Sequence, residues 1–109
     1  MDYTFNHEFN DARNCWDIKV AGEIDIFNSN EFKEKLLTLA AEKPRDLRID
    51  CSNLKYMDST ALGALVAVLK NVKLYDGTVF LLNLKPNLTK LFKITNLDKV
   101  FIIEGDTND

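Results

Sequence analysis

Apolar and polar residues alternate along the first twenty positions of the chain. Tyr3, Phe5, His7 and Phe9 form one alternating set and Trp16, Ile18 and Val20 another, with Asn10-Asp11 and Arg13-Asn14 between them. That pattern predicts two half-buried strands joined by a short polar turn. Residues 22–29 read as a loop carrying Glu23 and Asp25 with apolar residues interleaved. Asn28 followed by Glu31 has capping-box spacing, so a helix is expected to begin there. Phe32, Leu36, Leu39 and Ala40 mark its buried stripe, and Lys43-Pro44 ends it, because proline disfavours the helical region for its predecessor. Leu47, Ile49 and Cys51 then alternate as a strand, followed by a loop over 52–56.

A second helix is predicted from about Ser59 to Tyr75. Its apolar stripe is Leu62, Leu65, Val66, Leu69 and Val72, and Asp76-Gly77 supplies the stop. Residues 78–84 are nearly continuous in apolar character, the mark of a strand covered on both faces. Leu65, Val66 and Leu69 are accordingly expected to pack on Phe80 and Leu82. Pro86 suits the first turn of a third helix, with Leu88, Leu91 and Phe92 as its stripe. Residues 100–103 read as a last strand, and 104–109 as a frayed polar tail. The order β-β-α-β-α-β-α-β predicts a single α/β domain over 1–109, with a mixed sheet of four or five strands.

One stretch departs from ordinary patterning. Met57-Asp58-Ser59-Thr60 opens with an acid and two hydroxyls, and no charge follows until Lys70. Thr60, Gly63, Ala64, Ala67 and Asn71 fall on one side of the predicted helix, where nothing is larger than Asn. A solvated helix face normally carries Lys and Glu. The small face has two readings: close packing against a second layer below an ordinary cap, or a surface on which another macromolecule rests. A phosphate on Ser59 would suit the positive end of the helix while adding charge beside Asp58, so modification there would leave the fold alone and change the surface.

Composition narrows the classes. A chain of 109 residues with 46% hydrophobic and 28% charged residues has room for one real core. The net charge of −3 and the scattering of the 14 basic residues argue against direct nucleic-acid binding. No apolar run approaches the roughly 20 residues of a membrane span, and no signal peptide opens the chain. Cys15 and Cys51 stand apart, without the spacing of a metal site, and fit a reducing cytoplasm. His7 lies in an alternating strand and reads as structural. No cofactor and no metal ligand is expected.

The run Asp58-Ser59-Thr60-Ala61-Leu62-Gly63 after a short strand, with Gly22-Glu23-Ile24-Asp25 and its helix upstream, resembles the STAS family. More narrowly, it resembles the stand-alone anti-sigma factor antagonists of bacteria, and the likeness runs from the first hairpin to the last strand. The resemblance implies a cytoplasmic, non-enzymatic switch. Its unphosphorylated form binds an anti-sigma factor that is also a serine kinase, and so frees a sigma factor. That kinase, with its own ATP and magnesium, phosphorylates Ser59, and a PP2C-type phosphatase reverses the step. The implied partner-binding residues are Asp25, Asp58, Ser59, Thr60, Gly63, Ala64 and Ala67. Position 61, usually glycine in the family, is Ala61 here; alanine favours the helix by about 1 kcal/mol, and its added methyl would narrow which kinase fits.

Two other classes stand beside that one. A STAS module can serve as a scaffold in a sensory complex or as an accessory subunit in transport. A small enzyme with Ser59 as nucleophile needs a base and an orienting group, and the G-x-S-x-G elbow is absent because Met57 and Ala61 hold the glycine positions.

Overall fold

The opening alternation produces an antiparallel hairpin in the computed structural model, which describes residues 2–105. Strand β1 (Tyr3–Asn10) pairs with β2 (Cys15–Ile24), setting Phe5 opposite Val20 and Phe9 opposite Trp16. Helix α1 (Ser29–Glu42) follows, then β3 (Asp46–Met57), α2 (Ser59–Lys73), β4 (Val79–Leu82), α3 (Pro86–Ile94) and β5 (Ile102–Glu104). The five strands lie in sequence order, β1-β2-β3-β4-β5, and every pair after the first is parallel.

The core lies on one side of this sheet. Trp16, Ile18, Val20, Leu47, Ile49, Val79 and Leu81 share the buried face. Onto it pack Phe32 and Leu36 of α1, Leu65, Val68 and Val72 of α2, and Leu88 and Phe92 of α3. Tyr3 and Phe5 meet the Phe32 ring edge-on at 6.4 and 6.2 Å. Cys51 is sealed into this core, and burial pushes its thiol pKa up to about 12. His7 is exposed on β1, its ring 6.0 Å from that of Trp16.

The opposite face carries Asp17, Lys19, Arg48, Asp50, Phe80 and Leu82. The Arg48 guanidinium lies 5.1 Å over the Phe80 ring, 4.0 Å from the Asp17 carboxylate and 3.6 Å from that of Glu104. The apolar run of β4 is therefore not covered on both faces. Parallel pairing of Phe80 with Arg48 and Leu82 with Asp50 turns those two side chains to the polar side, where charged neighbours shield them. Leu65 and Leu69 are buried on the other side of the sheet from Phe80 and Leu82, and Val66 is only half-buried. The stripe of α2 is rotated from the expected one: Ala61 and Val68 are inside, and Leu62 sits at the margin.

Several boundaries also move. The expected loop 22–29 shrinks, because β2 continues to Ile24 through bulges that re-register it on β3. Gly22 allows this at φ +94°, and any Cβ there would collide with the Asp2 carbonyl oxygen. Likewise 52–56 are strand, and β3 runs to Met57. The capping box does not form. Asn28 is bonded to Asp25 instead, its Oδ1 accepting the Asp25 N–H at 2.9 Å and its own N–H donating to the Asp25 carbonyl at 3.2 Å, while Glu31 accepts a 2.6 Å hydrogen bond from the Tyr3 hydroxyl. At the end of α2 the left-handed residue is Asp76, at φ 61°, while the Gly77 N–H donates to the Val72 carbonyl at 3.0 Å. A 3-10 turn at Leu97–Lys99 takes up chain before the last strand, which begins at Ile102 rather than at position 100. Glu104, expected in a frayed tail, pairs with Leu82 in β5; the remainder of that tail, 106–109, lies outside the described residues.

Truncating Leu65 to alanine is expected to cost about 2–5 kcal/mol, as large-to-small core changes do, with Val66→Ala costing distinctly less. Urea unfolding of both variants checks this. Equal losses would mean that the α2 register is wrong.

Candidate functional site

Strands β2 and β3 end side by side, with Ile24 paired to Met57. The residues that follow them, Asp25 and Asp58, are therefore neighbours at the carboxyl edge of the sheet. A single residue, Asp58, separates β3 from α2. It is extended, at φ −98° and ψ −175°, and its side chain is the helix N-cap. Oδ1 accepts the Ala61 N–H at 3.0 Å and the Thr60 hydroxyl at 2.5 Å. Oδ2 reaches across to accept the Ile26 N–H at 3.0 Å, and the Asp58 N–H donates to the Ile24 carbonyl at 3.3 Å. Asp58 thus joins the loop after β2 to the start of α2.

Asp25 works inside that loop. Its carboxylate accepts the Phe27 N–H at 2.9 Å, its own N–H donates to Asn28 Oδ1 at 2.9 Å, and its carbonyl accepts the Ser29 N–H at 2.8 Å. Asn28 also donates from Nδ2 to the Glu23 carbonyl at 3.0 Å. With 8% of its surface accessible, Asp25 holds the loop in shape, and presents little of itself to a partner. The loop turns its apolar pair outward instead, leaving Ile26 65% and Phe27 87% exposed.

The two hydroxyls differ. Thr60 is committed to Asp58, whereas Ser59 is exposed at the first helical position with no hydrogen bond on its Oγ among the described residues. The nearby Asp58 carboxylate is turned to Thr60, Ala61 and Ile26 rather than to Ser59. Beyond the hydroxyls a shallow groove of about 160 Å³ runs between α1 and α2, lined by Ser29, Asn30, Lys33, Thr60, Gly63, Ala64 and Ala67. Ala64 is only 7% exposed and forms its floor, so the exposed face is narrower than the sequence suggested. A Cβ added at Gly63 would meet nothing within 4 Å. Ser29, Asn30 and Lys33 were not legible, since nothing in the sequence says which helix lies beside α2. Ile26 and Phe27 did leave a signal: two large apolar residues in an otherwise polar loop.

Hydrogen bonding lowers the Asp58 pKa, chiefly through the Thr60 hydroxyl; desolvation opposes it, and the Ala61, Ile26 and Thr60 amides add to the lowering. A folded-state pKa below the unfolded one stabilises the fold above the ordinary carboxylate range, and that contribution is lost as pH falls through the folded value. Asp58→Asn keeps a capping side chain and removes the charge. Its melting temperature is expected to lie below wild type at pH 7 and to converge with it under acid conditions. A gap that persists in acid would assign the loss to shape rather than charge.

The STAS domain profile matches residues 8–109. An anti-sigma-B factor antagonist of Bacillus subtilis is 42% identical over 88 residues, which are 81% of this chain and 80% of its own. An anti-sigma factor antagonist from Mycobacterium paratuberculosis superposes with a TM-score of 0.80 at 24% identity, over 94% of this chain and 85% of the other. The Bacillus protein SpoIIAA in its phosphorylated form does so with a TM-score of 0.72 at 21% identity, over 94% and 93%. The two structural likenesses speak to the fold alone. The profile match and the B. subtilis relative go further: the chain belongs to the STAS domain family and is similar there to the anti-sigma factor antagonists.

Proposed function

We propose that this protein is an anti-sigma factor antagonist whose binding is switched by phosphorylation of Ser59. In the unphosphorylated form, the surface made by Ser59, Thr60, Gly63 and Ala67, with Ala64 beneath it and the Asp25 loop beside it, docks on an anti-sigma factor. That partner is itself a serine kinase, and its sequestration releases a sigma factor. A PP2C-type phosphatase restores the unmodified serine. The action takes place in the cytoplasm, and the protein regulates by binding rather than by catalysis. The name of the B. subtilis relative supports the antagonist role, and SpoIIAA supplies the precedent of a phosphorylated form.

The observation that carries the choice of residue is the contrast between the hydroxyls. Thr60 donates to Asp58 at 2.5 Å, while Ser59 is exposed and unbonded among the described residues. A phosphate on Ser59 would lie at the positive end of α2, which tolerates it. It would also stand beside Asp58 at the edge of the groove, where like charge and desolvation oppose docking. Asp58 and Asp25 serve mainly to position this surface, through the loop that Asp58 clamps.

The phosphate acquired from the cognate kinase and ATP is expected on Ser59, as tandem mass spectrometry would show; a phosphate on Thr60 would refute the assignment. Ser59→Asp is expected to weaken binding by roughly two orders of magnitude, because burying an unpaired carboxylate costs several kcal/mol and each ~1.4 kcal/mol is tenfold. Its thermal stability should move by less than about 1 kcal/mol. Ser59→Ala should bind and resist inactivation, and Gly63→Lys should fold but fail to bind. Calorimetric titration against the anti-sigma factor, paired with thermal melts, measures all of these. If Ser59→Asp bound as tightly as wild type, docking on this face would be excluded.

A further inference from the structure

We propose that Phe27, with Ile26 beside it, is the apolar anchor by which this surface grips the anti-sigma factor, an inference that rests on the docking reading above. Single apolar residues at a protein surface are ordinary. Two consecutive ones held outward by a fixed loop are not. The Phe27 amide is held by Asp25 at 2.9 Å, the Ile26 amide by Asp58 at 3.0 Å, and Asn28 bonds both Asp25 and Glu23. Each polar side chain of the loop is engaged in keeping its backbone in one shape. The loop backbone that carries Phe27 is thereby fixed at the surface, and the residue is 87% exposed.

The backbone that carries the ring is already ordered before binding, so only the ring's own two torsions are fixed on docking, and aromatic anchors inserted into a partner's pocket carry much of an interface's energy. The occupant follows from continuity. The bond from Ile26 to Asp58 places the loop next to the residue that precedes Ser59, and α1, which starts just beyond the loop, forms one wall of the groove. A protein that covers Ser59 and the groove meets Phe27 at the same time. The anti-sigma factor is therefore expected to carry an apolar pocket that takes the ring.

The test is calorimetric titration of the intact protein against its purified cognate anti-sigma factor. Phe27→Ala should weaken binding at least about thirtyfold while leaving the melting temperature in place, since the residue is 87% exposed. Phe27→Leu should recover most of the affinity. Leu74→Ala, which removes a residue 84% exposed at the far end of α2, should have no effect. If Phe27→Ala binds within about threefold of wild type while Ser59→Asp does not bind, the docking reading stands and the anchor falls. If the wild-type protein itself does not bind, the docking reading fails and takes the anchor with it. If sedimentation shows Phe27→Ala losing self-association rather than the heterologous complex, the ring serves a second copy and the proposal is overturned.

Discussion

The Asp58 carboxylate makes three hydrogen bonds, and the geometry of the site follows from them. Two hold the first turn of α2, and the third holds a loop that is distant in sequence. The arrangement is possible because β2 and β3 are parallel and end in register, so that both strands deliver their next residue to the same edge. In sheets of this kind the carboxyl edge is where chain segments converge and sites form. Here the convergence is enforced by an acid that belongs to both segments. The same carboxylate also holds the Thr60 hydroxyl, whereas the Ser59 Oγ has no hydrogen bond among the described residues. The cap and the difference between two adjacent hydroxyls are one interaction.

The fold was legible in the sequence wherever alternation or helical spacing was strong. The hairpin, the three helices and the parallel centre of the sheet follow from the spacing of residues such as Phe5, Leu36, Leu65 and Leu88. What was not legible depends on pairing. The apolar run at β4 says that a strand is there, but only its register against Arg48 and Asp50 decides that Phe80 and Leu82 face away from the helices. Bulges had the same effect at Gly22 and near Asn53, where strand continues through residues that read as loop. The capping box failed because Asn28 is bonded within the loop to Asp25, while Glu31 meets Tyr3 from a strand 28 residues away. Local chemistry was read correctly at the start of α2 as a capping motif, with Asp58 rather than a hydroxyl in that role. The share of α1 in the groove required knowing which helices touch.

The one-sided covering of the sheet separates two kinds of surface. The helical side holds the core and, at one margin, the site. The other side is sustained by charge, with Arg48 placed between Asp17 and Glu104 above an aromatic ring. Such pairs, with Arg48 half-buried and the two acids open to solvent, contribute modestly to stability. Their value lies in solubility, because a bare parallel sheet with an apolar outer face would be prone to association.

Gly63 shows what the site asks of the helix that carries it. Space around its missing side chain is open, so alanine would fit, and it would favour the helix by up to about 1 kcal/mol. The domain forgoes that stabilisation in the middle of its second helix. Selection for thermal stability alone would therefore drift toward alanine here and add a methyl group at the edge of the groove. On the proposed docking, a variant library sorted only for folding and one sorted for partner capture should part company at this position, which would make Gly63 a marker of the tension between a robust helix and an accessible one.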